Sequence, residues 1–302
     1  MKLIKPSFSI LPQSEGLEGI YKQIELAGRT CYKSEDKITE TSAKEFAERM
    51  IKLGHGAMLE HGTVYLAIPM TTYAPDAVNT YRDNAYSKVN DCNEFIFTDK
   101  YGDKVAAWCV TTNLRVLVEN DCLEDLEFLC EPTEYHERRY TVKFICDRGV
   151  SHEFVRHRVF SFAQESTRYC NYSKDKFGNE ITYILPCWMD DSQVGHHDAG
   201  DIINQAYNFL PIECNPGEYE EILFMDVMAK AEFNYNELIK KGWKAQEARA
   251  VLPNSLKTEL VMTGFVSDWK HFFELRCAGA AHPQARELAI PLREEFINKG
   301  YI

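Results

Sequence analysis

The sequence has no apolar run that approaches the roughly 18 residues needed for a membrane-spanning helix. The segment MKLIKPSFSILPQSEG at its start has no apolar stretch long enough for the core of a signal peptide. Internal repeats and low-complexity tracts are also missing, which excludes repeat architectures. We therefore expect a globular cytoplasmic protein without a membrane partner.

Positive charge is scarce in this chain. Lys and Arg number 34 against 46 Asp and Glu, and the net charge is −12. Broad nucleic-acid binding depends on many cationic side chains that displace counterions, so we expect no nucleic-acid partner. An anionic small ligand would have to be bound by a local concentration of cations.

The ten cysteines contain no CxxC pair. Zinc ribbons and thioredoxin-type redox sites are therefore not indicated. Because we place the protein in the cytoplasm, we expect its thiols to be reduced.

Hydrophobic patterning predicts one α/β domain with long helices over residues 1–302. Strands are predicted at 62–70, 138–146 and 256–264, and helices over 14–54, from about Val150 with Ser151 as its cap, over 218–241, after Ser267 or Asp268, and from Pro283. The long helix is expected to bury Ile222, Leu223, Met225, Val227, Met228, Ala231 and Phe233. Residues 71–138 look like an elaboration of the domain, and the segment AAWCVTTNLRVLVEN within them fits either a strand or a helix.

The segment RHRVFSFAQESTR concentrates cations and hydroxyl groups within 13 residues. Arg156, His157, Arg158 and Arg168 surround the hydroxyls of Ser161, Ser166 and Thr167. Hydroxyls and arginines of this kind bind phosphate oxygens. If the helix from Val150 continues through RHR, successive side chains point about 100° apart and contact different ligands or a neighbouring subunit. The alternative is that these cations only oppose a helix dipole.

A second polar group lies in GHGAMLEH, with His55, Glu60 and His61. Its two histidines are six residues apart, which does not match the spacing of three or four that shares a helix face. The glycines around His55 favour a loop that lies against a flat aromatic ligand. A metal site here remains the basis of an alternative function, a metal-dependent nucleotide hydrolase.

Two further arginines, Arg249 in ARAVLP and Arg276 in FFELRC, lie near predicted helix ends in apolar surroundings. An arginine in such a place needs an anion or a carbonyl as partner. Either a bound ligand or a structural salt bridge would satisfy it.

Taken together, these segments resemble the flavin-dependent thymidylate synthases. RHR is followed by seven residues and Ser166, with a further Ser161 inside the motif and Arg168 two residues after it. GHGAMLEH is similar to the family's GH-x4-EH loop. ARAVLPNSLKTELVMTGFVSDWKHFFELRC resembles its ARxVLP…LR block, and AAHPQAREL its last helix. The resemblance covers about half the chain.

The resemblance implies an α+β fold with a mixed or antiparallel central sheet flanked by long helices. It also implies the reductive methylation of dUMP to dTMP. Methylenetetrahydrofolate would supply the carbon and FAD reduced by NADPH the hydride. The family members are homotetramers with active sites built from several subunits.

The resemblance also assigns site residues. A dUMP site would use Glu153, Arg156, Gln164, Glu165, Ser166, Thr167, Arg168, Arg249 and Arg276. A FAD site would use His55, Ala57, Arg156, His157, Arg158, Gln164 and His271. Arg276 would be catalytic, because a fixed cation beside uracil stabilises its ionised form. No metal is implied.

Four positions depart from the common pattern of the family. His152 and Glu153 stand where Arg-Gln is frequent, His271 stands for Asn, and Ala57 for Thr. A second alternative is a flavin- or nucleotide-binding protein without turnover, against which the presence of Arg276 and Ser166 argues.

Overall fold

A four-stranded antiparallel sheet lies at the centre of the computed structural model, which describes residues 1–70, 78–98, 101–174, 177–209 and 218–302. Its strand order is β2 (Ser7–Ile10), β6 (Arg139–Asp147), β10 (Lys257–Phe265) and β7 (Ser161–Gln164). All nine residues of β10 pair with β6, and four of them also pair with β7 on the other side. The sheet therefore joins the segments before and after the RHR motif through β10.

A second antiparallel sheet contains β3 (Thr63–Pro69), β5 (Lys104–Asn113) and β4 (Lys88–Thr98) in that order. It confirms the strand predicted at 62–70. The segment that fitted both a strand and a helix is both, because β5 passes directly into α5 (Leu114–Glu119). The Asn113 side chain caps that helix by accepting from the N–H of Val116.

This second sheet shares a core with the central one. Ala163 of β7 and Val261 of β10 belong to the same buried cluster as Val64 of β3 and Val110 of β5. Part of the 71–138 stretch, strands β4 and β5, thus belongs to a sheet packed on the central core, and residues 71–77 and 99–100 lie outside the described residues.

A small third sheet places β1 (Lys2–Ile4) between β8 (Thr182–Ile184) and β9 (Gly195–His196). The pair β1–β8 is parallel and the pair β1–β9 antiparallel. With two antiparallel sheets, one mixed sheet and long helices around them, the predicted α+β class is confirmed.

The helices follow the predicted pattern with one break. The segment expected to be helical over 14–54 is two helices separated by a 3₁₀ turn at Glu35–Lys37. The helices described in the chain, besides α5, are α1 (Gly16–Tyr32), α2 (Ser42–Lys52), α3 (Gly56–Leu59), α4 (Asn79–Arg82), α6 (Arg148–Phe154), α7 (Ala199–Phe209), α8 (Glu218–Lys240), α9 (Ala245–Ala248), α10 (Val266–Arg276) and α11 (Pro283–Asn298). None of them is both long and apolar enough to cross a bilayer.

Helix α6 differs from its prediction at both ends. Asp147, not Ser151, caps it, because the Asp147 carboxylate accepts from the N–H of Val150 at 2.8 Å. The helix ends at Phe154, so the RHR motif that follows lies in a turn. The condition under which successive RHR side chains would point about 100° apart, a helix that continues through the motif, is therefore not met.

The burial of α8 also differs in part from its prediction. Met225, Met228 and Ala231 are buried as expected, whereas Leu223, Val227 and Phe233 are exposed. The buried face contains Met225, Met228 and Ala229, at the spacing of three and four residues that places side chains on one side of a helix. Leu223 and Val227 lie on the opposite side of the helix from Met225, which explains why they do not reach the core, whereas Phe233 is exposed at the edge of the buried face.

Aromatic side chains fix the position of α10 against the central sheet. Trp269 and Phe272 are fully buried, and they pack against Phe144 of β6 and Phe154 of α6. Each such ring contributes roughly 1.5–3 kcal/mol through its burial. The packing holds the C-terminal end of α10, which carries Arg276, next to the end of α6.

Candidate functional site

The turn after α6 separates the three side chains of the RHR motif. Its backbone closes through hydrogen bonds from His157 N to Phe154 O at 3.1 Å and from Arg158 N to Arg156 O at 3.0 Å. His157 points inward and is 7% exposed, while Arg156 and Arg158 are exposed. The three side chains therefore diverge as predicted, but the cause is a turn and not helical spacing.

The buried His157 contacts the arginine at the end of α10. Nε of Arg276 donates to Nε2 of His157 at 2.9 Å. The same guanidinium donates from Nη1 to the Glu153 carboxylate at 2.6 Å and from Nη2 to the Glu153 carbonyl at 2.7 Å. Three of the five N–H groups are occupied by these bonds, which fix the plane of the guanidinium and leave one N–H on each terminal nitrogen.

The surroundings of His157 determine both its charge and the nitrogen that carries its proton. Burial, followed by the positive charge of Arg276 and the neighbouring His271, lowers its pKa to about 4. The imidazole is therefore neutral at pH 7. Because Nε2 accepts the bond from Arg276, the proton of the neutral ring is on Nδ1.

His271 lies at the outer edge of this group. It is exposed, its ring centre is 6.3 Å from that of His157, and its Nδ1 lies 3.5 Å from the carboxylate of Glu274. Its position about one and a half turns before the end of α10 puts it beside the Arg276 cluster, and its predicted contact with flavin stays a prediction.

A second group of predicted residues follows β7. The amide nitrogen of Gln164 donates to Ser151 Oγ at 2.9 Å and to Thr258 Oγ1 at 3.2 Å, which leaves the amide oxygen of Gln164 as a further acceptor. The backbone N–H of Ser166 donates to Cys31 O at 3.0 Å, and Ser166 Oγ accepts weakly from Arg168 N at 3.4 Å. These bonds fix the loop and leave its hydroxyl near the surface.

Glu165, predicted as a dUMP contact, points into the protein. It is 2% exposed, and its carboxylate accepts from Lys257 Nζ at 2.8 Å and from the Tyr172 hydroxyl at 3.1 Å. Both carboxylate oxygens accept hydrogen bonds inside the protein, and the predicted contact of Glu165 with dUMP stays a prediction. Alternation along the chain explains this orientation, because Gln164 and Ser166 face the other side.

Thr167 and Arg249 are partners. Arg249 Nη1 donates to Thr167 Oγ1 at 2.9 Å, and Thr167 is 5% exposed. The arginine at the C-terminal end of α9 thus contacts the loop through a hydroxyl, and no carboxylate partner of Arg249 occurs in the described ranges of the chain. The guanidinium is exposed and retains donors for an anion.

The GHGAMLEH segment does not form a metal site. His55 and Ala57 are exposed at the start of α3, Glu60 accepts from Arg115 Nη1 at 2.5 Å, and His61 Nδ1 lies 2.8 Å from Thr263 Oγ1. Burial and the nearby Arg139 lower the pKa of His61 to about 3. Within the described residues, no three His, Cys, Asp or Glu side chains are grouped for a metal ion. The hydrolase alternative, which needs those three donors together, gains no support from the described residues.

Three predicted arginines remain without a carboxylate. Arg156, Arg158 and Arg168 are exposed, and none forms an ion pair in the part of the chain that the structure describes. The Arg168 guanidinium lies 5.4 Å from the ring centre of Tyr169. Free guanidinium groups bind phosphate and diphosphate through paired hydrogen bonds, so these residues can hold the phosphate groups of a nucleotide or of a flavin dinucleotide.

Sequence patterns missed the residues that lie beneath the 164–168 loop. Lys257 and Glu259 contact Glu165 and each other, and Ser151 and Thr258 hold Gln164. Residues two apart in a strand point to the same face, so the opposite charges of Lys257 and Glu259 were the available sequence signal for an ion pair under the loop.

The chain matches the family model described as thymidylate synthase complementing protein over residues 133–299. That range includes the RHR turn, the 164–168 loop, Arg249, His271 and Arg276, but not His55 or Ala57.

Curated relatives give the same picture. Proteins named flavin-dependent thymidylate synthase from Mycobacterium tuberculosis and Pyrococcus furiosus are 32% and 29% identical to the chain over 143 and 157 residues. These alignments cover 47% and 52% of the chain and 51% and 53% of the relatives. The chain thus spans about half the length of the curated relatives it matches.

A solved structure of a UMP/dUMP methylase from Streptomyces cacaoi, bound with 5-Br dUMP, aligns with the chain. The alignment covers 99% of this chain and 93% of the methylase chain. The TM-score is 0.40 and the identity 15%, values too low to carry an argument about function.

Proposed function

The chain belongs to the thymidylate synthase complementing protein family, and on that basis we propose that it is a flavin-dependent thymidylate synthase. It would methylate dUMP reductively to dTMP, with methylenetetrahydrofolate as carbon donor and FAD and NADPH as reductants. The reaction class would be that of a methyltransferase in thymidylate synthesis.

The observation that carries this proposal is the fixed guanidinium of Arg276. His157 and Glu153 hold its plane and leave two N–H donors, one on each terminal nitrogen. Two N–H donors on one guanidinium can bind adjacent acceptors on a pyrimidine ring. A cation held there stabilises negative charge on uracil as it develops, and the electron density at C5 rises for attack on the carbon donor.

The loop after β7 would bind the nucleotide. Ser166 and Arg168 present a hydroxyl and an exposed guanidinium for the phosphate, and Arg249 reaches the same loop through Thr167. Gln164 has a free amide oxygen that suits an N–H donor. Arg156, exposed at the RHR turn, would add a further cation.

The donor set at the RHR turn fits a flavin dinucleotide. Arg156 and Arg158 are exposed and suit a diphosphate, while His55, Ala57 and His271 are exposed and available to a planar ligand. When bound, FAD supplies the hydride after reduction by NADPH. His157, which points inward, would contribute by keeping Arg276 in position.

Assembly would complete the site. The cations at the RHR turn and at the 164–168 loop are exposed on the single chain, which supports a homotetramer whose neighbouring subunits close over the ligands. Light scattering of the purified protein tests the number of chains.

The absorbance spectrum and the oxidation of NADPH test the activity. We expect yellow protein with flavin bands, and faster NADPH oxidation when dUMP is added. Protein that binds FAD but shows no response to dUMP would favour the non-catalytic binder instead, and protein that cannot be loaded with FAD would contradict both.

A further inference from the structure

A buried network of ion pairs lies beneath the loop that carries Ser166 and Arg168. Lys257 Nζ donates to Glu165 at 2.8 Å and to Glu259 at 2.6 Å. Lys33 donates to Glu259 at 2.8 Å, and Lys143 contacts the same carboxylate. Lys257 is the member that joins the two buried glutamates.

The network is balanced in charge and largely removed from water. It contains three lysines and three glutamates, since Glu35 contacts both Lys33 and Lys143. Glu165 is 2% and Glu259 6% exposed. Burial would raise the pKa of Glu259, but Lys257, Lys143 and Lys33 hold it well below its usual range.

Backbone hydrogen bonds connect this network to the loop. Glu165 N donates to Glu259 O at 2.8 Å, and the next N–H, that of Ser166, donates to Cys31 O at 3.0 Å. The Glu165 side chain is anchored at the same point by Lys257 and Tyr172. Because Glu165 directly precedes Ser166, displacement of its carboxylate moves the hydroxyl and the guanidinium that follow it.

We propose that Lys257 is a positioning residue for nucleotide binding: through Glu165 it holds the 164–168 loop in the conformation that binds the phosphate of dUMP. This inference rests on the proposed function. Lys257 also neutralises the buried carboxylate, so that no uncompensated negative charge lies behind a loop that must attract a phosphate. Lys257 itself is mostly covered, with 16% of its side chain exposed, and acts only through Glu165.

Lys257→Met removes the cation and keeps the length of the side chain. The FAD-loaded full-length variant should show a dUMP KM roughly tenfold or more above wild type, which corresponds to the loss of one charge-assisted contact, while kcat at saturating dUMP stays within about threefold. Calorimetric titration with dUMP should show the same loss of affinity. Lys257→Arg should recover most of it.

The double variant Lys257→Met/Glu165→Gln separates positioning from general damage. It removes the cation together with the charge that the cation balances, and Gln keeps the shape of the side chain and an acceptor for Tyr172. We expect its dUMP KM to return to within about threefold of wild type. The double variant also supplies the test if Lys257→Met alone does not fold.

Lys143→Met is the matched control. Like Lys257, Lys143 contacts Glu259, and its side chain is 20% exposed, close to the 16% of Lys257. It forms no ion pair with Glu165 in the described part of the chain. Its dUMP KM should stay close to wild type even if its thermal stability falls. An equal rise in KM in this control would show that the network acts only through stability.

The outcomes separate the two proposals. Wild-type protein that neither binds nor methylates dUMP would overturn the proposed function and this inference with it. Wild-type protein that methylates dUMP, beside a Lys257→Met variant with unchanged KM or a double variant without recovery, would overturn the positioning role alone.

Discussion

Nε of Arg276 donates a hydrogen bond of 2.9 Å to Nε2 of His157, the central residue of the RHR motif. One residue is at the end of α10 and the other in the turn after α6, 119 positions apart. The bond requires a neutral imidazole, and the lowered pKa of His157, about 4, provides it at pH 7. The two segments that the family pattern emphasises are thus joined by one contact inside a single chain.

Replacement of the guanidinium tests its catalytic role. Arg276→Ala should lower kcat for dTMP formation by about 100-fold or more, because a fixed donor to developing charge is lost. FAD content, measured from the visible spectrum, should remain, since Arg156 and Arg158 are unchanged. A variant that loses FAD and activity together would assign Arg276 to cofactor binding instead.

Glu153→Gln tests the influence of the carboxylate beside Arg276. The variant keeps the bond from Nη2 to the backbone carbonyl and removes the negative charge that Nη1 contacts. Because the charge of Arg276 is then less neutralised, we expect kcat/KM for dUMP to rise by about two- to fivefold. The effect is modest because a third of the Glu153 side chain is exposed to water. A fall of similar size would show that the Glu153 carboxylate itself binds dUMP.

Arg168→Ala tests the loop as a phosphate site. Loss of a charge-assisted hydrogen bond to phosphate should raise the dissociation constant of dUMP by about 10- to 100-fold. Titration calorimetry measures it directly. The control is Arg138→Ala, which removes an exposed arginine bonded to the Pro132 carbonyl and should leave dUMP affinity unchanged.

The buried His61 predicts a dependence of stability on pH. Its pKa is about 3 in the folded protein and 6.5 when unperturbed, so the unfolded chain binds a proton first as pH falls. The stabilising contribution is complete above pH 6.5 and declines as the pH falls from 6.5 to 3. At pH 5 the loss from this group is about 2 kcal/mol.

Urea denaturation at pH 7 and pH 5 measures that loss. His61→Gln keeps a polar partner for Thr263 and does not titrate, so the difference in unfolding free energy between the two pH values should be smaller in the variant by about 2 kcal/mol. Equal differences in both proteins would contradict the assignment of a neutral, buried His61.

Metal removal should have no effect on turnover. Glu60 is paired with Arg115 and His61 with Thr263, so the three donors of the hydrolase alternative are held apart. Dialysis against EDTA should leave dUMP-dependent NADPH oxidation at its original rate. An activity lost on dialysis and restored by a divalent cation would require a site formed by other residues.

Local pattern predicted the main strands and helices of the described chain. The strands at 139–147 and 257–265 and the helix at 218–240 were found from apolar and β-branched composition. Strand β10 is nevertheless buried on both faces, although its sequence alternates. Its polar residues are covered as well, because Thr263 bonds to His61 and Thr258 accepts from Gln164. Alternation showed that a strand exists, but it did not show that both faces are covered.

The sequence selected the residues of the candidate site but not the orientation of their side chains. The family pattern selected Arg276, His157 and Glu153, and the structure brings them into direct contact. It also selected Glu165, which points inward to Lys257. The direction of a side chain depends on where its strand ends and on which distant lysine lies under it. The spacing of residues in a motif gives no information about either.

Formation of dTMP is the most direct test of the central claim that a guanidinium held by the RHR turn activates dUMP. Purified FAD-loaded protein should be incubated with dUMP, methylenetetrahydrofolate and NADPH, and the nucleotide product identified by mass spectrometry. We expect dTMP from wild type and a loss of at least about 100-fold in Arg276→Ala. No dTMP from flavin-loaded wild type, or an equal yield from Arg276→Ala, would contradict the account.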